Sequence, residues 1–247
     1  MAVRRCFALG VLASALYRVS LKGNSNVSPL VSDLMAGTRK MFTLDSPAGI
    51  DQDQVVATAL AYFRRRGYGA TTEFELCDAL GVTPAVLAKN FGGRHGILIR
   101  TLEIYAAGQM AALESELAES ESPWKWITAV VVFEDGRLPL DISGCYLSVI
   151  ASSLSGVDSE VRALSRATYA KITEVFARAL TEARDLGELR PGVDIEEAAL
   201  VMLTTMQGIE FLRRASLDRA FSHANTAVIA ALTTAYANQK RDGVAAV

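Results

Sequence analysis

The 247-residue chain has only three cysteines and two histidines, and neither set is placed for the chemistry those residues usually carry. Cys6, Cys77 and Cys145 are odd in number and far apart. That pattern argues against a disulfide framework and fits a reducing compartment, so the expected location is the cytoplasm. His95 and His223 are remote from each other, and no Cys or His pair has metal-ligand spacing, so no metal site is expected. No glycine-rich loop follows a strand and no G-x-S-x-G elbow occurs, which leaves no catalytic motif and no cofactor to expect. Charge of one sign is also missing: 25 Lys and Arg stand against 27 Asp and Glu, a formal net charge of −2. Any nucleic-acid contact must therefore come from a local patch rather than a general basic field.

Strand patterning is absent too. No stretch alternates polar and apolar residues between hairpin turns, and there are no repeats or low-complexity tracts. Instead, half of the residues (51%) are apolar, enough for a sizeable core, and helix signals follow one another from Asp51 onward. Asp51 with Gln54, and Thr72 with Glu75, form capping-box patterns, and Gly67 and Gly81 stop the helices that they open. Thr83 followed by Pro84 is a strong helix start, because proline lacks only an N–H that would be unpaired there. That third helix runs to about Lys89 or Asn90. A long helix then begins near Arg94 and runs to about Glu119. Ser122-Pro123 opens another, carrying Trp126, Val130 and Phe133 until Gly136 to Pro139 break it. Residues 140–155 are apolar and rich in small side chains. Asp158 caps a long helix that ends in "DLGELRPG". Asp194 with Glu197 caps one that is apolar on most sides, and a last helix spans about 219–239. The fold class expected is all-α.

The first residues, "MAVRRCFALGVLASALYRVS", place Arg4 and Arg5 before an apolar run from Cys6 to Tyr17. The pattern is that of a secretory signal, and the run is too short to span a bilayer. For a reducing protein the simpler reading is a start codon set too far upstream, with Met35 or Met41 as the true start; a disordered or short helical extension and true export are the alternatives. Residues 22–50, rich in Ser, Asn, Gly and Pro, read as a flexible leader.

The stretch "ALGVTPAVLAKNFGGRHGIL", residues 79–98, is where function enters. Two helices joined by a short turn at a steep angle make a helix-turn-helix, whose second helix can lie in the DNA major groove. Such a turn needs a small side chain where the helices cross, here Cys77. It needs a residue tolerant of positive φ, here Gly81, and apolar residues that lock the second helix down, here Val82 and Leu87. Residues 52–105, with "ALAYFRRRGYGATT" and the Phe91 to Arg94 step, resemble the DNA-binding domain of the tetracycline-repressor (TetR) family. The segments "GCYLSVIASSLSG" and "LTTMQGIEFLRR" resemble, less specifically, the ligand-binding half of such regulators.

The resemblance implies an N-terminal three-helix DNA-binding domain over 51–95, after a leader over 1–50. A helical ligand-binding and dimerisation domain over 96–240 follows. It implies Thr72 as a phosphate contact, Thr83, Pro84, Ala85, Lys89 and Asn90 as the groove-facing surface, and Arg94 as a clamp on the DNA backbone. Physical chemistry agrees in part, since Lys89 and Arg94 bring charge and Asn90 has the groups to pair with an adenine edge. Phe74, Ala88 and the Pro84-Ala85 pair depart from the family, which often has basic or polar residues and a tyrosine there. Residues 51–105 carry six positive and six negative side chains, so the domain has no net charge. Arg39 and Lys40 could form a basic arm in the minor groove or a solvated linker.

In the back half, the resemblance implies a homodimer through the last two helices. It also implies a cavity for a small lipophilic effector, with Trp126, Val130, Phe133, Tyr146, Val149, Tyr169, Ile172, Met202, Met206 and Phe211 as candidate walls. For each of these, plain core packing is the competing role. Cys145 could sense electrophiles or pack as a small apolar group. The function expected is a ligand-responsive transcriptional regulator, most often a repressor in this family, that binds operator DNA without membrane attachment. The alternative is a dimeric binding module of the same fold that has lost strong DNA recognition.

Overall fold

The computed structural model describes residues 51–133, 145–214 and 218–238. The leader, Arg39 and Lys40, and the expected break at Gly136 to Pro139 lie outside them. Among the described residues the regular elements are nine helices, joined by a single isolated antiparallel bridge between Leu189 and Ala237. They are α1 (Gln52–Arg66), α2 (Glu73–Leu80), α3 (Pro84–Phe91), α4 (Gly93–Ala118), α5 (Pro123–Val131), α6 (Tyr146–Leu154), α7 (Ser159–Asp185), α8 (Ile195–Arg214) and α9 (Asp218–Tyr236). The chain is all-α, as its caps and periodicity predict.

The caps do what their residue types allow. The side chains of Asp51, Thr72, Thr83, Ser122 and Asp158 each accept a backbone N–H in the first turn of the helix that follows. Asp194 does the same for Glu197 at 3.0 Å. Each satisfies a donor that the helix itself leaves orphaned. At Thr72 the box is reciprocal, with the Glu75 carboxylate taking back the Thr72 N–H and hydroxyl at 2.8 Å each. The boundary that differs most from the sequence reading is the end of α5. α5 ends at Val131 rather than running past Phe133, because Phe133 takes φ 55°, a left-handed conformation that no helix continues through.

The chain clusters into two compact units, with described residues 51–105 in one and the remainder in the other. In the first, Val56, Ala59, Phe63, Leu76, Leu87, Phe91, Ile97, Leu98 and Leu102 are buried. In the second, the core runs through α5, α7 and α8, with Trp126, Ile127, Ile172, Phe176, Leu180 and Met202 buried. Trp126 meets Phe176 edge to face at 6.3 Å between ring centroids, the arrangement aromatic quadrupoles prefer. Glu188, in the turn after α7, accepts the Trp124 N–H at 3.0 Å and, through its own carbonyl, the Asn238 N–H at 2.7 Å. That turn thus holds the start of α5 and the end of α9.

Candidate nucleic-acid interface

The turn between α2 and α3 is built as the sequence requires. Gly81 sits at φ 65°, ψ 30°, and its N–H bonds back to the carbonyls of Asp78 and Cys77. The Val82 N–H reaches the Cys77 carbonyl at 3.1 Å. Cys77 is buried, and burial, followed by the nearby Glu73 carboxylate, pushes its thiol up. It therefore fills the helix crossing as a small apolar group. Leu87 and Phe91 face inward from α3, while Pro84, Ala85, Ala88, Lys89 and Asn90 are exposed. Of the residues expected to face the groove, Pro84, Ala85, Lys89 and Asn90 are exposed and Thr83 is half-buried.

The polar groups on and around that face are largely engaged within the protein. The Thr83 oxygen accepts the Val86 N–H at 3.3 Å, and the Asn90 side-chain amide donates to the Val86 carbonyl at 2.9 Å. The Thr72 hydroxyl and N–H both go to Glu75. Those two bonds to Thr72, and then Arg66, hold the Glu75 carboxyl below its usual range. Arg66 pairs with Glu75 at 3.1 Å and Arg100 with Glu103 at 3.4 Å.

Arg94 has a different neighbourhood from that of a free clamp. Its guanidinium donates to the Tyr68 carbonyl and lies 3.9 Å from the centroid of the Tyr68 ring. Tyr68 in turn meets Phe63 edge to face at 5.3 Å. The basic side chain at the start of α4 therefore ties down the α1–α2 loop. The sequence showed no sign of this partner, beyond the glycine-aromatic pair that contains it. Arg94→Leu should lower the stability of this unit by about 2–3 kcal/mol, because it removes a charged hydrogen bond and a cation–π interaction at once. Arg94→Lys should recover only part of it, because an ammonium lacks the planar fork. Thermal melting of the three proteins tests this. A melt unchanged in both variants would leave Arg94 no structural role.

The effector-wall candidates divide. Trp126, Val130, Tyr146, Ile172, Met202 and Met206 are buried, Phe133, Val149 and Tyr169 are half-buried, and Phe211 is exposed at 70%. Phe211 is thus not gathered with the others. Beside the buried set lies a polar cluster the sequence reading missed. Ser148 Oγ donates to Gln207 Oε1 at 2.6 Å and lies 3.2 Å from Tyr169 Oη. Burial pushes the Tyr169 phenol up to about 12. Glu210, nearly fully buried, accepts the Cys145 N–H at 2.6 Å. One signal was available, a lone acid inside the apolar run "MQGIEFL". Cys145 is a buried free thiol. A separate groove of about 270 Å³, lined by Arg190, Pro191, Asp194, Glu197 and Tyr236 among others, contains none of the candidate wall residues.

Residues 137–229 match the family model described as "Tetracyclin repressor-like, C-terminal domain". That part of the chain is similar to the C-terminal domain of the TetR family. The chain is similar to the HTH-type transcriptional repressor ComR of Escherichia coli (strain K12), at 24% identity over 188 residues, covering 73% of this chain and 88% of ComR. Among solved structures, a cysteine mutant of CifR complexed with 26 bp double-strand operator DNA shares its fold with a TM-score of 0.65. That match has 21% identity and covers 77% of this chain and 99% of the other. FadR from Bacillus subtilis in complex with stearoyl-CoA matches with a TM-score of 0.56 at 17% identity, covering 72% of this chain and 96% of the other. No helix among the described residues is long and apolar enough to cross a membrane.

Proposed function

We propose that this regulator is a repressor that binds operator DNA as a homodimer and is released by a small lipophilic effector. The observation that carries DNA binding is the capped, exposed α3 set on Gly81, with Leu87 and Phe91 locking it in place. Thr83, Pro84, Ala85, Lys89 and Asn90 form the surface offered to the groove, Thr72 stands at the phosphate-side start of α2, and Arg94 holds the loop between α1 and α2. The repressor role and the effector are supported by the relatives, ComR by its description and FadR by its bound acyl-CoA.

The effector would lie among Trp126, Val130, Phe133, Tyr146, Val149, Tyr169, Ile172, Met202 and Met206. The Ser148, Tyr169 and Gln207 cluster supplies the few polar groups that orient a largely apolar ligand. Release follows if the effector binds the DNA-incompetent state more tightly, by a factor equal to its affinity ratio for the two states.

Two helical faces support the homodimer. α8 exposes Leu200, Phe211 and Leu212, and α9 exposes the small residues Ala227, Ala230 and Ala231. A two-fold contact would bury them. One observation favours the second reading, a module of this fold without strong DNA recognition: Arg66, Arg94 and Arg100 are all engaged inside the first unit.

A gel shift of the protein with DNA from upstream of its own gene, at graded salt, separates the two. Sequence-preferring binding is expected. Lys89→Ala should weaken it across sequences and lower the salt slope by about one, the counterion released at one phosphate. Binding with no sequence preference, or none at all, would leave the second reading standing.

A further inference from the structure

The outer face of α3 is poor in groups that read bases by hydrogen bonding. Pro84, Ala85 and Ala88 are exposed and have no side-chain donor or acceptor. Asn90, whose amide would have to donate to an adenine edge, gives that amide to the Val86 carbonyl at 2.9 Å. The Thr83 oxygen is engaged by the Val86 N–H. Lys89, one turn beyond Ala85 on the same face, brings a point charge.

A helix seated in the major groove with such a face offers most of its surface to one base feature. Of the four bases only thymine presents an apolar group there, its 5-methyl, and alanine-sized side chains pack against it. We propose that operator recognition by this chain rests chiefly on thymine 5-methyl groups packed against Pro84, Ala85 and Ala88. The inference rests on the DNA-binding reading and deepens it, naming what the reading head reads. The lack of net charge in the unit points the same way, because a weak phosphate attraction leaves a larger share of affinity to apolar burial. Phe74, exposed at 79% in the first turn of α2, adds apolar surface where the first helix of such a motif crosses the backbone. A contact made there is with the backbone, which carries no sequence.

The full-length protein is used to select a preferred duplex from a randomised pool. Affinity is then measured for that duplex and for copies with deoxyuridine in place of thymidine, which removes the 5-methyl and keeps the base pair. Each contacted methyl should be worth about fourfold, so uracil throughout the site should weaken binding by an order of magnitude or more. Uracil outside the site should change nothing. Ala85→Ser and Ala88→Ser should bring the thymine-to-uracil ratio towards one, whereas Phe74→Ala should weaken both duplexes alike and keep the ratio. Equal affinity for the thymine and uracil duplexes would overturn the proposal while leaving DNA binding intact. Failure to enrich any duplex would overturn the DNA-binding reading, and the proposal with it.

Discussion

Gly96→Ala should unfold the unit of residues 51–105 while leaving the rest of the protein folded. α3 ends at Phe91 and α4 begins two residues later, across Gly92 at φ 74° and Gly93 at φ 75°. The chain turns so tightly that a Cβ on Gly96 would stand 1.7 Å from the Phe91 carbonyl oxygen and 2.8 Å from its carbon. Both atoms are backbone, so no side-chain rotation relieves the clash. Either α3 or the first turn of α4 must move, and Phe91, buried at its end, moves with α3. The cost expected is on the order of 3 kcal/mol or more, at the upper end for overpacking. Gly92→Ala, which meets only a Cα at 3.8 Å, should cost about 1–2 kcal/mol from the left-handed backbone alone. Hydrogen exchange reads both variants: in Gly96→Ala, protection should fall across residues 51–105 and persist in α7. A Gly96→Ala protein that melts within about 0.5 kcal/mol of the parent would contradict this account.

On the homodimer proposed above, replacing Leu200 and Phe211 together by Glu should give a monomer whose operator affinity is at least about a hundredfold weaker. Both side chains are exposed in the single chain, at 56% and 70%, so the change leaves the fold of the protomer undisturbed. Thr204 and Gly208, also exposed, lie between them on α8, and a Cβ on Gly208 would meet nothing within 4 Å. In a two-fold contact each new carboxylate faces the same patch on the partner, so every charge counts twice. Desolvating that cluster is prohibitive, and one reading head alone keeps only a half-site. Sedimentation and binding to a two-half-site duplex check the two effects separately. An unchanged dimer mass would place the interface elsewhere.

How much of this was legible in the sequence depends on how far apart the interacting groups lie. The caps at Asp51, Thr72, Thr83, Ser122, Asp158 and Asp194 were all readable, because a cap is an interaction across two or three residues. The turn at Gly81 was readable for the same reason. α3 reached Phe91, slightly beyond its expected end. α5 stopped earlier than expected, since nothing local announces a left-handed Phe133.

The face chemistry of α3 was half-legible. Its apolar residues could be named from the sequence, but Asn90 turning its amide back to Val86 is a rotamer, and rotamers are chosen by surroundings. Arg94 shows the limit more sharply. The family resemblance implied a clamp on the DNA backbone, and only the folded chain brings Tyr68, 26 positions away, beneath its guanidinium.

The sequence by itself determined that this chain is a run of capped helices with a helix-turn-helix near its front. Caps, turns and helical periodicity act within one or two turns of backbone, so the residues concerned are neighbours in the chain. Only the tertiary structure decided which polar groups are used up and which apolar ones are left over. Met202 and Phe211 sit on one helix that is apolar on most sides. One is buried by α8's own neighbours, and the other is left open. Glu210 finds the Cys145 N–H 65 positions away, and Gly96 proves irreplaceable because the backbone at Phe91 passes against it. Such arrangements depend on how helices pack, and packing is settled by the whole core at once.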